Sequence, residues 1–509
     1  MTTSRMSFTE QLKTLGVTVA RLVTDSRAVQ VGDTFVAYPG EKLDGRQFIA
    51  QAIAQGANAV IWESQHFAWN AEWNLPNLAV KNLRDAAGWI ADAVYGAPSQ
   101  KLQMIGITGT NGKTSTAHWI AQALNAAKKP CALIGTLGNG FFANLQPSVN
   151  TTPDAIHVHG LLADYLNHGA QAVAMEVSSH ALSQGRVNGV NFDVALLTNL
   201  SRDHLDYHGD MQSYADSKRK LLQWDQLKFA VLNFDDEFGV ELARQLLDAS
   251  VEVVGYGLSD AALKNAERLG VRMAYGRVAE MSGQGLRLEI HSSWGAAQLN
   301  SGLIGRFNAA NLLGALAVLL VSEISLSDAV LSLSNMQAVA GRMQRLGNAQ
   351  QPTVVVDYAH TPDALEKALL ALREIDVTKS GKLICVFGCG GDRDRGKRAM
   401  MGLVAEKFSD HCVVTSDNPR SENPQLIIDE VVHGMSKNNH EIVMDRAAAI
   451  ACAISLAAQC DTVLVAGKGH ENYQEISGVK HPFSDVLVAQ KALQSWNPST
   501  SSGRAGAGA

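Results

Sequence analysis

One segment constrains this chain more than any other. Gly106-Ile107-Thr108-Gly109-Thr110-Asn111-Gly112-Lys113-Thr114 follows the apolar run Met104 to Thr108 and opens a helical stretch, Lys113 to Ala127. Glycines that carry a strand directly into a helix let backbone N–H groups face phosphate oxygens, and the helix start adds favourable partial charge. Such a loop requires a strand with a helix packed on it, and so an α/β domain. Lys113 is placed to reach the outer phosphates, and the hydroxyl of Thr114 to hold Mg²⁺. Gly109, Thr110, Asn111, Gly112 and Ser115 complete the expected nucleotide contacts. The strict eight-residue phosphate-loop pattern asks for glycine where Ile107 stands. A glycine-rich turn without a ligand is the competing reading, and the coincidence of strand, Gly-Lys-Thr and helix weighs against it. The loop specifies a nucleoside triphosphate, not a reaction.

The remaining pattern extends the α/β reading. Ala172 to Val177, Val194 to Thr198 and Phe229 to Leu232 are short apolar runs suited to parallel strands covered on both faces. A second series, Thr353 to Val356, Leu383 to Phe387, Cys412 to Thr415 and Thr462 to Ala466, begins near Pro352. The first 98 residues mix short strands with an Ala-rich helix around Arg46 to Gln55 and end at the turn-rich Gly96-Ala97-Pro98-Ser99. These shifts divide the chain at 1–98, 99–337 and 338–496. Residues 497–509, rich in Ser, Gly and Ala, have nothing to bury and are expected to be disordered. With 509 residues, several domains are the ordinary expectation.

Composition excludes some partners. A net charge of -6 without a Lys/Arg run gives no reason to expect nucleic acid. No stretch of about 18 uncharged apolar residues suggests membrane insertion, and Leu312 to Val321 reads as part of a buried helix. The start lacks an apolar signal core. The six cysteines stand mostly beside apolar residues and read as buried, inert thiols in a reducing cytoplasm; Cys385 and Cys389 lack the nearby ligands of a zinc site.

Further candidates lie at strand ends, where open α/β sheets gather ligands. Glu176 ends one strand and is followed by Ser178-Ser179-His180; Asn199 to His208 follows another. A carboxylate from Glu176 and an imidazole from His204 would complete a magnesium shell begun by Thr114, although histidine is an unusual partner for so hard an ion. Glu176 reads equally well as a helix cap or salt-bridge partner, and His204 and His208 as turn residues bonded to carboxylates.

The ordered set of blocks resembles the Mur ligase family. It comprises Asp25-Ser26-Arg27, the phosphate loop, Glu176 with Ser178 to His180, Asn199 to His208, Gly305 to Asn308, Gly341-Arg342-Met343, Asp357 to Asp363 and Gly467 to Glu471. The family replaces the strict phosphate-loop glycines with the pattern seen here. The resemblance implies three domains: an N-terminal UDP-binding domain, a central ATPase-like domain and a C-terminal Rossmann-like domain. It implies ATP and Mg²⁺, with Asn308, Arg342 and Asp357 around the nucleotide. Ser26, Thr151, Thr152, Ser178, Gln184 and Arg186 fall at positions that contact the UDP-sugar substrate, UDP-N-acetylmuramoyl-L-alanyl-D-glutamate. Lys218 matches a carbamylated lysine at the magnesium site. Carbamylation turns a cation into an anion able to balance Mg²⁺. The catalytic set implied is Lys113, Glu176, His204 and Lys218.

The resemblance also bears on the acceptor. Asp417-Asn418-Pro419-Arg420 matches the family's mark for meso-2,6-diaminopimelate, joined by Arg393, Gly467 and Glu471. Diaminopimelate carries a distal carboxylate that lysine lacks, and guanidinium groups hold carboxylates through paired charge-assisted bonds. Taken without the family, these four residues also suit a strand-to-helix turn. The resemblance further implies an acyl-phosphate route and a cytoplasmic monomer. A folylpolyglutamate synthetase, another ligase step of the family and a nucleotide-gated binding protein are the alternatives; the folate reading leaves the first 98 residues without a job.

Overall fold

The computed structural model describes residues 5–497 except 42, 143, 349, 376–380 and 438, and the expected disordered tail lies outside the described residues from 498 onward. Three sheets follow one another along the chain. The first holds four parallel strands in sequence order, Leu22–Val23, Thr34–Ala37, Ala59–Glu63 and Asn77–Val80. Helix Leu83–Val94 buries Leu83, Ala87, Ile90 and Ala91, positions that share one helical face, in the core beside this sheet. The Ala-rich helix starts later than the sequence suggests: Gly45–Phe48 is a 3₁₀ turn capped by Asp44, and the α-helix runs Ile49–Ala54.

The second sheet has ten strands. Gln103–Thr108 lies inside it, with Ala172–Glu176 on one side and Val194–Leu197 on the other, all parallel. The chain first builds outward through Cys131–Gly135 and later builds the opposite way through Phe229–Asn233, Glu252–Gly257 and Arg272–Ser282. This reversal places a crevice at the carboxyl end of Gln103–Thr108, where the phosphate loop emerges. Helix Lys113–Ala126 packs against helix Arg306–Val321, which is buried on nearly every face and contains the apolar run from Leu312. Strands Gly285–Ser292 and Gly295–Ser301 extend the far edge as an antiparallel meander. The apolar-run criterion does not reveal them, because their burial alternates with exposure.

The third sheet orders Gln344–Leu346, Thr353–Asp357, Thr462–Ala466, Leu383–Phe387, His411–Val414 and His440–Ile442, with only the first antiparallel. The late strand Thr462–Ala466 inserts between two earlier ones. Its outgoing loop therefore emerges between the loops that follow Asp357 and Phe387. A hairpin, Tyr473–Ile476 with Val479–Pro482, completes this end. Val339 packs into the second sheet's core and Met343 into the third's, while Ala155 and Ile156 join the first domain's core. Cys131, Cys385, Cys389 and Cys412 are buried. Cys452 is half-buried and Cys460 is exposed, a departure from the all-buried expectation; Cys460 sits in a turn before Thr462.

Candidate active site

The phosphate loop is shaped by contacts that leave no room for a side chain at Gly109. Its φ is +142°, and a Cβ there would lie 1.9 Å from Thr198 Oγ1. Lys113 Nζ donates to the carbonyls of Gly109 and Thr110, each at 2.8 Å, and Lys218 Nζ donates to the same Gly109 carbonyl at 2.8 Å. Burial pushes both amines below the usual lysine range, and for Lys218 the charge of Lys113 adds to the effect. Two lysine amines hydrogen-bonded only to backbone carbonyls, Lys218 buried and Lys113 half-buried, fit an incoming polyanion.

Thr114 Oγ1 donates to Glu176 Oε2 at 2.9 Å; Thr136 donates to Glu176 through its N–H at 2.8 Å and its hydroxyl at 3.1 Å. Ser178, not Glu176, caps the following helix. Thr114 and Glu176 thus present hard oxygen donors suited to Mg²⁺. His204 has φ +54° and sets its Nε2 3.3 Å from Asp203 Oδ2, while His360 Nε2 lies 3.7 Å from the same oxygen. Burial depresses His204 to about 3. Burial opposes the ionisation of Asp203, yet the imidazoles of His360 and His204 hold it well below the usual carboxylate range. Among the described residues no group of three or more His, Cys, Asp and Glu has the arrangement of a metal site.

A cavity of ≈ 420 Å³ opens between the loop and the C-terminal domain, lined by Thr114, Ser115, Asn308, Arg342 and Asp357 among others. Arg342 donates to Thr114 Oγ1 at 3.2 Å and lies over the Tyr358 ring at 4.4 Å. Asp357 accepts from the Met343 N–H at 2.7 Å, and burial pushes its carboxyl up. Asn308 Nδ2 donates to the Ile304 carbonyl at 2.8 Å. Asn111 Nδ2 reaches Asp363 Oδ2 at 3.2 Å, and Ser201 Oγ donates to the same oxygen at 3.1 Å, tying the loop to the C-terminal domain.

On the N-terminal side, Arg186 donates to Thr152 O at 2.9 Å and Gln184 Oε1 at 2.7 Å; Gln184 in turn donates to Glu41 and to Tyr207 Oη. Gln184 and Arg186 line a cavity of ≈ 290 Å³ with Tyr38, Glu41 and Arg84 of the first domain. Thr152 Oγ1 donates to Glu176 O at 2.8 Å and accepts from the Ser178 N–H at 3.1 Å. The Thr151 hydroxyl is 3.1 Å from that of Thr136. Ser26 stands apart, buried and donating to Gln51 Oε1 at 2.9 Å, and does not line that cavity.

A cavity of ≈ 150 Å³ joins the other two domains, with Asp203 and His204 at one wall and Arg393, Asp417, Arg420 and Glu471 from the C-terminal loops. Asn418 and Gly467 also line it; Pro419 does not, its carbonyl accepting the Glu422 N–H at 3.0 Å. Gly467 has φ +119°, and a Cβ there would lie 2.6 Å from Asp417 Oδ2. Arg420 has φ +51° and is fixed by the hairpin: its N–H donates to Glu475 O at 3.1 Å and its carbonyl accepts the Ser477 N–H at 2.7 Å. Its Nη1 donates to Gly391 O at 2.6 Å, and Arg393 Nη1 to Asp392 O at 3.1 Å. Asp203, His360, Asp363, Lys468 and Thr136 received no individual role from sequence. All but Thr136 stand inside blocks quoted above, which was the available signal.

A phosphate loop facing a second α/β domain, with a charged pocket beside the join, defines a nucleotide-dependent enzyme that works between domains. The Mur ligase middle domain pattern matches residues 107–319, the Mur ligase glutamate ligase domain matches 341–469, and the Mur ligase family catalytic domain matches 9–95. A UDP-N-acetylmuramoyl-L-alanyl-D-glutamate--2,6-diaminopimelate ligase from Chromobacterium violaceum is 52% identical over 486 residues, 95% of this chain and 96% of that protein. The protein of the same name from Nitrosomonas europaea is 48% identical over 491 residues, covering 95% of this chain and 94% of its own. A solved structure bearing that name superposes with a TM-score of 0.65 at 36% identity, covering 94% of this chain and 95% of that one. The chain belongs to the Mur ligase family.

Proposed function

We propose that this Mur ligase joins meso-2,6-diaminopimelate to the D-glutamate side-chain carboxylate of UDP-N-acetylmuramoyl-L-alanyl-D-glutamate, with ATP, to form the UDP-muramoyl tripeptide of peptidoglycan synthesis. Relatives that share about half of its residues over nearly the whole chain carry the name of that ligase. The observation that carries the acceptor assignment is the pocket in which Arg393, Arg420 and Glu471 converge beside the join with the ATP domain. Two guanidinium groups and a carboxylate match a zwitterionic distal end better than a lone ammonium. The folate alternative explains neither this pocket nor the cavity shared with the N-terminal domain.

A carboxylate is a poor electrophile. In this reading the substrate carboxylate accepts the γ-phosphoryl group of ATP, releasing ADP and giving an acyl phosphate; the acceptor amine adds to its carbonyl carbon, and phosphate and a proton leave as the amide forms. Lys113 exchanges its loop carbonyls for the outer phosphates, and Arg342 supports them from the other domain. Thr114, Glu176, His204 and a carbamylated Lys218 would hold Mg²⁺, whose contribution when bound is to offset phosphate charge. Burial that favours the neutral amine of Lys218 also favours its addition to carbon dioxide, which forms one N–C bond and releases one proton. A need for ATP and a UDP-sugar supports a cytoplasmic enzyme, and we propose that it acts as a monomer.

Phosphate release is the direct test. With ATP and UDP-muramoyl dipeptide present, release is expected to depend on added meso-diaminopimelate. Release without any acceptor, or none with it, contradicts the reading.

A further inference from the structure

We propose that Lys468 is the positioning residue of the acceptor pocket, fixing Glu471 and Asn418 from beneath without touching the acceptor. This rests on the assignment of that pocket to the incoming amino acid. Lys468 is wholly buried, an expensive place for an ammonium unless its bonds are good. Its Nζ donates to Glu471 Oε2 at 2.7 Å and to Asn418 Oδ1 at 2.9 Å, with the Tyr473 ring 5.5 Å from the charge.

These bonds settle the orientation of two side chains. An ammonium has only donors, so it forces the amide oxygen of Asn418 toward itself. The same oxygen accepts the Glu475 N–H at 2.9 Å. Asn418 Nδ2 must then turn to Glu471 Oε2, which it reaches at 2.9 Å. Glu471 Oε2 is thereby occupied by two donors, and the side chain so fixed lines the pocket. The effect extends along the chain. Asn418 anchors the hairpin through Glu475, and that hairpin holds the backbone of Arg420, two residues away. Lys468 thus orders both the negative and the positive wall of the pocket.

The same geometry separates this role from nucleotide binding. Neither Lys113 nor Thr114 touches Lys468, and the phosphate loop belongs to the other domain. Lys468→Met keeps the length of the side chain and removes its charge and donors. Hydrogen bonds to charged groups are typically strong enough that its KM for diaminopimelate should rise about tenfold or more, with the KM for ATP within about twofold of the parent. The preference for diaminopimelate over L-lysine should fall with it. Lys468→Gln, which retains a donor, should lie between the two.

An unchanged acceptor KM in folded Lys468→Met overturns the proposal. So does a parallel rise in both KM values, or failure of both variants to fold, since either assigns Lys468 to general structure. A parent enzyme that ignores diaminopimelate is a different failure, that of the pocket assignment, and is seen before any variant is made.

Discussion

At the phosphate loop, Lys113 and Lys218 donate to backbone carbonyls: both to that of Gly109, and Lys113 also to that of Thr110. Beneath the acceptor pocket the buried cations are already matched: Lys468 by Glu471, and Arg446 by both oxygens of Asp485 at 2.7 Å. The contrast separates two uses of buried charge. Amines hydrogen-bonded only to neutral carbonyls are free to change partner, Lys113 to the outer phosphates and Lys218 to carbon dioxide in the reading above, whereas cations paired with carboxylates build the scaffold. At the acceptor end Arg393 and Arg420 resemble the first kind, since each guanidinium donates to a loop carbonyl. Arg420 has a carboxylate only at 3.6 Å, that of Glu475. Contact with the distal carboxylate is therefore proposed for these arginines, while the deeper Lys468 pair acts on selectivity only by holding the pocket walls.

The sharpest break of this comparison is Lys113→Ala. Removing the charge that meets the outer phosphates should lower kcat by about 10²–10³-fold or more, with circular dichroism unchanged; near-parent turnover would show that the loop lysine awaits nothing. Lys218→Ala is expected to lose about a hundredfold and to recover in part with formate or acetate, small anions able to replace a carbamate. Retention of parental rates would remove Lys218 from the magnesium site.

The two ends were not equally legible in the sequence. The phosphate loop is a local device: adjacent glycines, one lysine and a helix start determine most of its geometry, so nine consecutive residues disclose it. The acceptor pocket is assembled from loops near residues 203, 390, 418 and 470, which only the sheet order brings together. Asp203 and Lys468 gain their meaning from partners in other segments, and no spacing rule announces them. Apolar runs marked the parallel strands because both faces are covered. The strand after Ser409 starts at His411, one residue early, since a half-buried histidine pairs at its edge. The antiparallel meander from Arg272 to Ser301 stayed hidden for the opposite reason, one face being open to water.

Smaller effects sharpen the contrast further. Arg420→Ala should lower kcat/KM for meso-diaminopimelate by roughly a hundredfold, equivalent to about 3 kcal/mol within the range for stranding a buried charge. L-lysine, which lacks the distal carboxylate, should be affected much less, without becoming a good substrate. An unchanged ratio of the two specificity constants would free Arg420 of any part in selection. Asp363→Ala removes the acceptor shared by Asn111 and Ser201 across the domain join. Because this carboxylate is partly exposed, a loss of only about fivefold in kcat, near 1 kcal/mol, is expected. A loss as large as that of Lys113→Ala would mean that the join, not the loop, governs catalysis.

In the proposed function the C-terminal pocket selects an acceptor with a charged distal carboxylate. This selection is tested most directly by competition: the parent protein, ATP and UDP-muramoyl dipeptide are incubated with equal concentrations of meso-diaminopimelate and L-lysine, and the products are separated by mass. Their ratio reports the ratio of specificity constants. The diaminopimelyl tripeptide is expected to predominate strongly; a predominant lysyl tripeptide would show that the pocket does not select for the distal carboxylate.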